Sequence, residues 1–200
     1  MHCFAIVMIP PDGDAEEHVD RLMAPHKEDW VPDPNGAVDE DGEPEGELVG
    51  FWNWYQIGGR WKGALVSEYD SSKDPDHIET CWLCNGTGRR TDVPEADWEA
   101  YKAGPMNGCN RCKGTGRMET WPTKWAPHPR DVMPVAEYAA QFLADPWARP
   151  YRFVAEGVNL ERDGMRDTTD TEMQPHDRAV FEHIKAAPDD SRVVVVDYHC

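Results

Sequence analysis

The sequence predicts an α+β fold: a mainly antiparallel sheet with packed helices, into which a cysteine-bearing zinc-knuckle finger is inserted. Three observations carry this reading. Apolar runs of strand length open and close the chain, at residues 2–9 and 193–200. Segments with apolar residues at helical spacing lie between them. A nine-residue phrase, C-x-x-C-x-G-T-G-R, occurs twice in the middle, at residues 81–89 and 109–117. The resulting order β-α-β-β-finger-α-β-α-β suits helices packed on an antiparallel sheet, and a decorated ferredoxin-like arrangement is one that fits. Residues 1–77 and 123–200 are read as the body, and 78–122 as the insertion.

Residues 2–9 (H-C-F-A-I-V-M-I) form an apolar run closed by Pro10 and Pro11, as expected of a buried strand. Asp14 is placed to cap a helix whose inner face carries Val19, Leu22 and Met23 and which Pro25 ends. Residues 26–47 then turn acidic, with D-E-D-G-E-P-E-G-E at 39–47 and no apolar face, which predicts a mobile acidic loop. Solvation alone accounts for such a run; an electrostatic decoy for a basic partner is the alternative.

Residues 48–66 are aromatic and glycine-rich. As a strand they place Trp52, Trp54 and Gln56 on one face and Phe51, Asn53, Tyr55 and Ile57 on the other. Gly58 and Gly59 permit a tight turn, with residues 60–66 returning as a second strand. Arg60 suits stacking on an indole or a bidentate clamp on a carboxylate. Trp54, Tyr55, Arg60 and Trp61 therefore read in two ways. They are an aromatic core ladder with the arginine tied to a local acid such as Glu28, or they line a ligand pocket.

Two thiolates three positions apart can face one metal, and two such pairs complete the tetrahedral shell that zinc prefers. Cys81, Cys84, Cys109 and Cys112 are accordingly read as ligands of one structural zinc. The glycines after each pair supply φ > 0 positions for a backbone that folds back toward sulfur. A disulfide pair or a redox Cys-x-x-Cys needs no repeated Gly-Thr-Gly-Arg tail. Between the pairs, Thr91 or Asp92 is placed to cap a helix with Trp98 and Tyr101 on one face, closed by Gly104.

Beyond the finger, Pro122, Pro127 and Pro129 stiffen a connector. Asp131 is expected to start a helix through Leu143 with Val135, Tyr138, Ala139 and Phe142 inward. Residues 151–160 read as a strand and 161–164 as a turn. Residues 175–186 read as a helix striped by Val180, Phe181 and Ile184, and 193–200 as the last strand. His2-Cys3 opens the first strand and His199-Cys200 closes the last, so antiparallel pairing would bring both ends together. His2, Asp197 and His199 then form a candidate second polar site, for a metal or for acid–base chemistry, against ordinary polar residues at frayed ends.

Two resemblances follow from these stretches. The repeat at residues 81–117 resembles the cysteine-rich module of DnaJ-type co-chaperones, whose unit is C-x-x-C-x-G-x-G. That family carries four units and two zincs; this chain carries two units, enough for one, and has no His-Pro-Asp tripeptide. The resemblance implies a metal module and not a chaperone. Met1-His2-Cys3-Phe4, Met23-Ala24-Pro25-His26-Lys27-Glu28-Asp29 and W-N-W-Y-Q-I-G-G-R-W-K-G at 52–63 together resemble an uncharacterised family of small phage and bacterial proteins. Asn53 stands where that pattern has Asp, so no carboxylate role is carried to it. The resemblance implies a phage setting, hence a host cytoplasm, and no mechanism.

Charge narrows the partner. The chain has a formal net charge of −18. Residues 81–130 hold eight Lys and Arg against five Asp and Glu, a local +3, and the remainder is −21. An acidic body repels phosphate backbones, so a protein partner is expected ahead of nucleic acid. Arg89, Arg90, Arg111, Lys113 and Arg117 are the basic residues available for contact. No run approaches the ~20 apolar residues of a membrane span, and cysteines in metal-type pairs fit a reducing cytoplasm. No nucleophile–base pair, phosphate loop or paired catalytic carboxylates is legible. A non-enzymatic zinc protein presenting its finger is therefore read ahead of a small enzyme or ligand-binding protein, with a holdase third.

Overall fold

A computed structural model describes residues 1–90, 92–103, 108–121, 124–164 and 171–199. The chain divides into two compact units, one joining Met1–Ser67 to Pro127–Cys200 and the other spanning Glu68–Ala126. The insertion therefore begins at Glu68 rather than at residue 78. Its base has its own small core, in which His77 stacks on Trp125 at 3.5 Å and the Tyr69 hydroxyl lies 3.0 Å from His77 Nε2.

In chain order the elements are β1 (His2–Ile9), α1 (Ala15–Met23), β2 (Asp29–Pro32), β3 (Gly46–Val49) and β4 (Trp54–Ile57). The second unit contributes β5 (Ile78–Thr80), α2 (Trp98–Ala103) and β6 (Arg117–Glu119). The first unit resumes with β7 (Val132–Pro134), α3 (Val135–Ala144), β8 (Arg152–Ala155), β9 (Val158–Glu161), α4 (Pro175–Ala186) and β10 (Arg192–His199).

The main sheet runs β4-β10-β1-β8-β9, with β7 also pairing β10. Only β1 and β8 are parallel, so the sheet is mainly antiparallel, as predicted. The first and last strands pair from His2↔His199 to Ile9↔Arg192. Cys3, Ala5, Val7, Val194 and Val196 pack with Val19, Leu22 and Met23 of α1. On the other face Phe4, Ile6, Val193 and Val195 pack with Tyr138 and Phe142 of α3 and Val180 and Ile184 of α4. Strands covered on both sides need apolar residues at every position, which explains why these two runs do not alternate. Helices on both faces, and the adjacent parallel pair, set the sheet apart from a ferredoxin-like one. The Asp14 carboxylate caps α1 as expected, accepting the Glu17 N–H at 3.1 Å.

The structure departs from the sequence reading in four places. Residues 26–47 are not a structureless loop, because β2 and β3 form an antiparallel ribbon with Trp30 opposite Leu48. Asp39 accepts the N–H groups of Asp41 and Glu43, both at 2.9 Å, and Val38 bridges Pro44. Local carboxylates thus satisfy the turn amides while the other acids stay in water. Residues 60–66 do not return as a strand, because the Arg60 and Gly63 N–H groups go to carboxylates. Asp131 does not start a helix: residues 132–134 pair with β10, and α3 begins after Pro134. Residues 151–160 are two strands turning at Glu156 and Gly157. In the second unit a short 3-10 turn, Glu95–Asp97, precedes α2. The expected cap at Thr91 and stop at Gly104 lie outside the described residues, as do Pro122 and Cys200. Among the described residues no helix is long and apolar enough to cross a membrane.

Candidate metal centre and polar cluster

The knuckles of the second unit, residues 81–89 and 109–117, follow two copies of one backbone path. In each, the residue immediately after the cysteine pair takes an unusual conformation: Asn85 has φ 49° and its counterpart Lys113 φ 52°. Gly86 donates to the Cys81 carbonyl and Gly114 to the Cys109 carbonyl, both at 3.2 Å. The Thr87 and Thr115 hydroxyls donate to the Cys84 and Cys112 carbonyls, both at 2.7 Å. The copies then lock together, since Cys81 N–H meets the Gly116 carbonyl at 2.9 Å and Cys109 N–H meets that of Gly88 at 2.7 Å. A Cβ at Gly88 would lie 2.2 Å from the Gly114 oxygen, and one at Gly116 would lie 2.1 Å from the Gly86 oxygen. The repeated glycines are therefore demanded by repeat-on-repeat contact as well as by their positive φ.

This pairing gathers Cys81, Cys84, Cys109 and Cys112, all buried, with every sulfur within 4.8 Å of the others. The Cys81–Cys109 and Cys84–Cys112 separations are 3.9 and 3.7 Å. A tetrahedron with Zn–S of about 2.3 Å has edges of about 3.8 Å. Burial pushes the Cys81 thiol up to about 11. Burial also opposes ionisation of Cys112, yet the Gly116 N–H at 3.2 Å and the neighbouring thiols hold it down to about 6. A cation at the centre would stabilise the remaining thiolates. The four cysteines suit a metal ion site, and among the described residues they are the one such His, Cys, Asp or Glu group.

The basic residues around this centre are partly engaged. Arg89 pairs with Glu95 and lies 4.5 Å from the Trp98 ring centroid. Arg90 pairs with Asp92 and donates to Asn110 Oδ1 at 2.9 Å. Arg111, Lys113 and Arg117 are exposed, with Arg111 5.9 Å from the ring of Trp82, itself 63% exposed. The whole second unit carries eight Lys and Arg against ten Asp and Glu, a net −2. Among the described residues, the exposed cations of this unit that form no ion pair, Arg111, Lys113 and Arg117, all lie on the second knuckle.

In the first unit the turn at residues 58–63 wraps two buried carboxylates. Asp197 on β10 accepts the Arg60 N–H at 2.9 Å, and Asp131 accepts those of Gly63 and His128 at 2.8 and 2.7 Å. A Cβ at Gly58 would meet Asp131 Oδ2 at 2.5 Å, and one at Gly59 would meet Asp197 Oδ2 at 2.6 Å. These amides serve carboxylates and not a sheet partner, so no second strand forms. Burial raises the Asp131 carboxyl above its ordinary value, against the two amides that lower it.

Trp54, Tyr55, Arg60 and Trp61 do not converge as one group. Trp61 packs on Phe4, ring centroids 5.3 Å apart, and belongs to the core under α3 and α4. Tyr55 points to the opposite face and donates to Asp20. The Arg60 side chain is exposed and makes no ion pair among the described residues, while Glu28 accepts instead from Asn53 Nδ2 at 3.2 Å.

His2, Asp197 and His199 are brought together. His2 Nδ1 lies 3.0 Å from both Asp197 oxygens, and the two imidazole centroids are 5.4 Å apart. His199 Nδ1 meets Asn53 Oδ1 at 3.2 Å, and its Nε2 meets the Met1 amino group at 3.1 Å. Sequence reasoning missed Asp131, whose only signal was its place after a proline-rich connector. Comparison with known proteins gives no match to a family model, a curated protein or a solved structure.

Proposed function

We propose that this is a zinc-binding accessory protein, phage-encoded and acting in the host cytoplasm, whose second unit presents its second knuckle to a protein partner. The observation that carries the reading is the closed, buried cage of four cysteines. Four thiolates leave no open position for water, so the zinc is structural. The DnaJ-like repeat supports the metal, and the W-x-W-Y-x-I-G-G-R-W-x-G stretch supports the phage setting. Arg111 near the exposed Trp82, with the exposed Lys113 and Arg117, offers a contact surface, while the acidic remainder disfavours duplex nucleic acid. Elemental analysis should give one zinc per chain. Replacing Arg89, Arg111 and Arg117 together by Ala should abolish partner capture without releasing zinc, since none is a ligand. Undiminished capture would reduce the finger to a structural staple.

A second reading, a ligand-binding protein or small enzyme working at the Trp-rich turn, is favoured by one observation. The buried Asp197 under that turn is partnered by an imidazole and a single backbone amide.

A further inference from the structure

The described carboxylates with almost no exposure are Asp131, Asp177 and Asp197, and they are satisfied differently. Asp177 is held by Arg162, with Arg149 3.7 Å away. Asp131 takes two backbone amides. Both arrangements tie down structure with guanidinium or backbone N–H donors. Asp197 is 0% exposed, yet its side-chain partner is His2, which remains 26% exposed. A buried carboxylate costs stability unless it is well paired, and imidazole is a weaker counter-ion than the arginines used elsewhere in this fold.

The geometry fixes what that imidazole can do. A carboxylate facing Nδ1 accepts its hydrogen, which leaves the Nε2 lone pair free to receive a proton. The Arg60 N–H and the Cβ-less Gly59 hold the carboxylate from above. Trp54 stands edge-on to the His2 ring at 5.8 Å, and His199, with both nitrogens occupied, forms another wall. Arg60 is tethered to Asp197 by its backbone, so an exposed arginine is rooted beside the pair. Trp61, beside Phe4, buries its indole N–H with no acceptor among the described residues. A buried donor left without an acceptor costs about 1–3 kcal/mol.

We infer that His2 and Asp197 form a proton-accepting dyad for a small molecule bearing a phosphate or carboxylate group, which Arg60 holds. A proton passes from a hydroxyl of the bound molecule to His2 Nε2, and the bonding pair stays on that oxygen. The resulting imidazolium is stabilised by Asp197, which is a positioning residue and does not itself take the proton. This rests on the second reading above, that the Trp-rich turn forms a ligand site.

Acylation by diethyl pyrocarbonate, followed by peptide mass mapping, reads the state of Nε2 directly. His2 should react faster than His183, which has no carboxylate partner among the described residues, and Asp197→Asn should remove that advantage. Inorganic phosphate should slow the reaction at His2 in the parent, and less so in Arg60→Lys. His2→Gln keeps a polar side chain and guards against misfolding of the Asp197 variant: because Arg60 holds the anion, phosphate should raise the Tm of the parent and of His2→Gln alike. If His2 reacts no faster than His183, the dyad is overturned even where phosphate binds. If phosphate neither protects His2 nor shifts the parent Tm, the anion site is overturned even where His2 is reactive.

Discussion

The two knuckles and the turn at residues 58–63 solve one steric problem by opposite means. In both, glycines let backbone approach a group that no side chain could clear. At Gly88 and Gly116 that group is the carbonyl of the other repeat, and at Gly58 and Gly59 it is a buried carboxylate. The knuckles gather four buried cysteines, a set that suits a metal cation. The turn supplies its own donors, the N–H groups of Arg60, Gly63 and His128. One region thus suits a metal cation, and the other is satisfied by backbone donors of the chain itself. The comparison predicts which perturbations each region survives.

Metal removal should separate them most. Structural zinc in small fingers contributes an apparent ~10–16 kcal/mol to folding. Cys84→Ser, or chelation, should therefore unfold the second unit, seen as loss of amide protection at residues 81–117. The β1–β10 pairing has its own two-sided core and should keep its protection. Equal loss in both units would mean that the sheet depends on the metal after all.

Added methyl groups come next. Gly88→Ala should cost zinc affinity, because a Cβ 2.2 Å from the Gly114 oxygen forces the repeats apart. Gly59→Ala should leave zinc untouched and lower the Tm of the first unit, overpacking and positive-φ strain together costing about 1–3 kcal/mol or more. Gly36→Ala is the control: it shares a positive φ, 70°, and meets nothing within 4 Å. If Gly36→Ala and Gly59→Ala cost the same, strain alone matters and the carboxylate contact does not.

Much of this was legible in the residues. Cys81, Cys84, Cys109 and Cys112 announce themselves by spacing, and the terminal strands by unbroken apolar runs that only two covered faces can use. The pairing of His2 with His199 followed from placing those strands side by side. What stayed hidden was long-range and polar. Nothing near residue 60 says that its amide belongs to Asp197, 137 positions away. The glycine pair therefore looked like a hairpin turn when it is a clearance over carboxylates. The ribbon at 29–49 was hidden for a local reason. Its composition is that of a solvated loop, and only side-chain acceptors such as Asp39 turn the acids into the fixings of a turn.

Asp131 offers a test of the self-sufficient region by pH. Its folded value is raised by burial, so folding favours the protonated form. Its contribution to stability is then full below the unfolded carboxyl value and declines as pH rises through the raised one. Asp131→Asn removes that titration and sets an amide against one backbone donor, at about 1–3 kcal/mol. The Tm gap between parent and variant should be widest at acid pH and narrow toward neutrality. A gap that widens with pH would show that the amide donors outweigh burial.

The smallest effect should be that of Arg60→Lys, and its smallness is what makes it informative. The arginine contributes its backbone N–H to Asp197, and lysine has the same N–H. Its guanidinium is exposed and forms no ion pair among the described residues, so stability should change by no more than about 0.5 kcal/mol. Trp54→Ala, which strips an aromatic edge from the His2 ring, should lower the Tm more. A planar fork lost to a point charge should nevertheless weaken the grip on an oxyanion, because lysine cannot reproduce the bidentate geometry. Thermal melts of the two variants with and without inorganic phosphate separate these effects. If Arg60→Lys melts as early as Trp54→Ala without phosphate, the side chain is a structural tie and the turn is only a clearance over carboxylates.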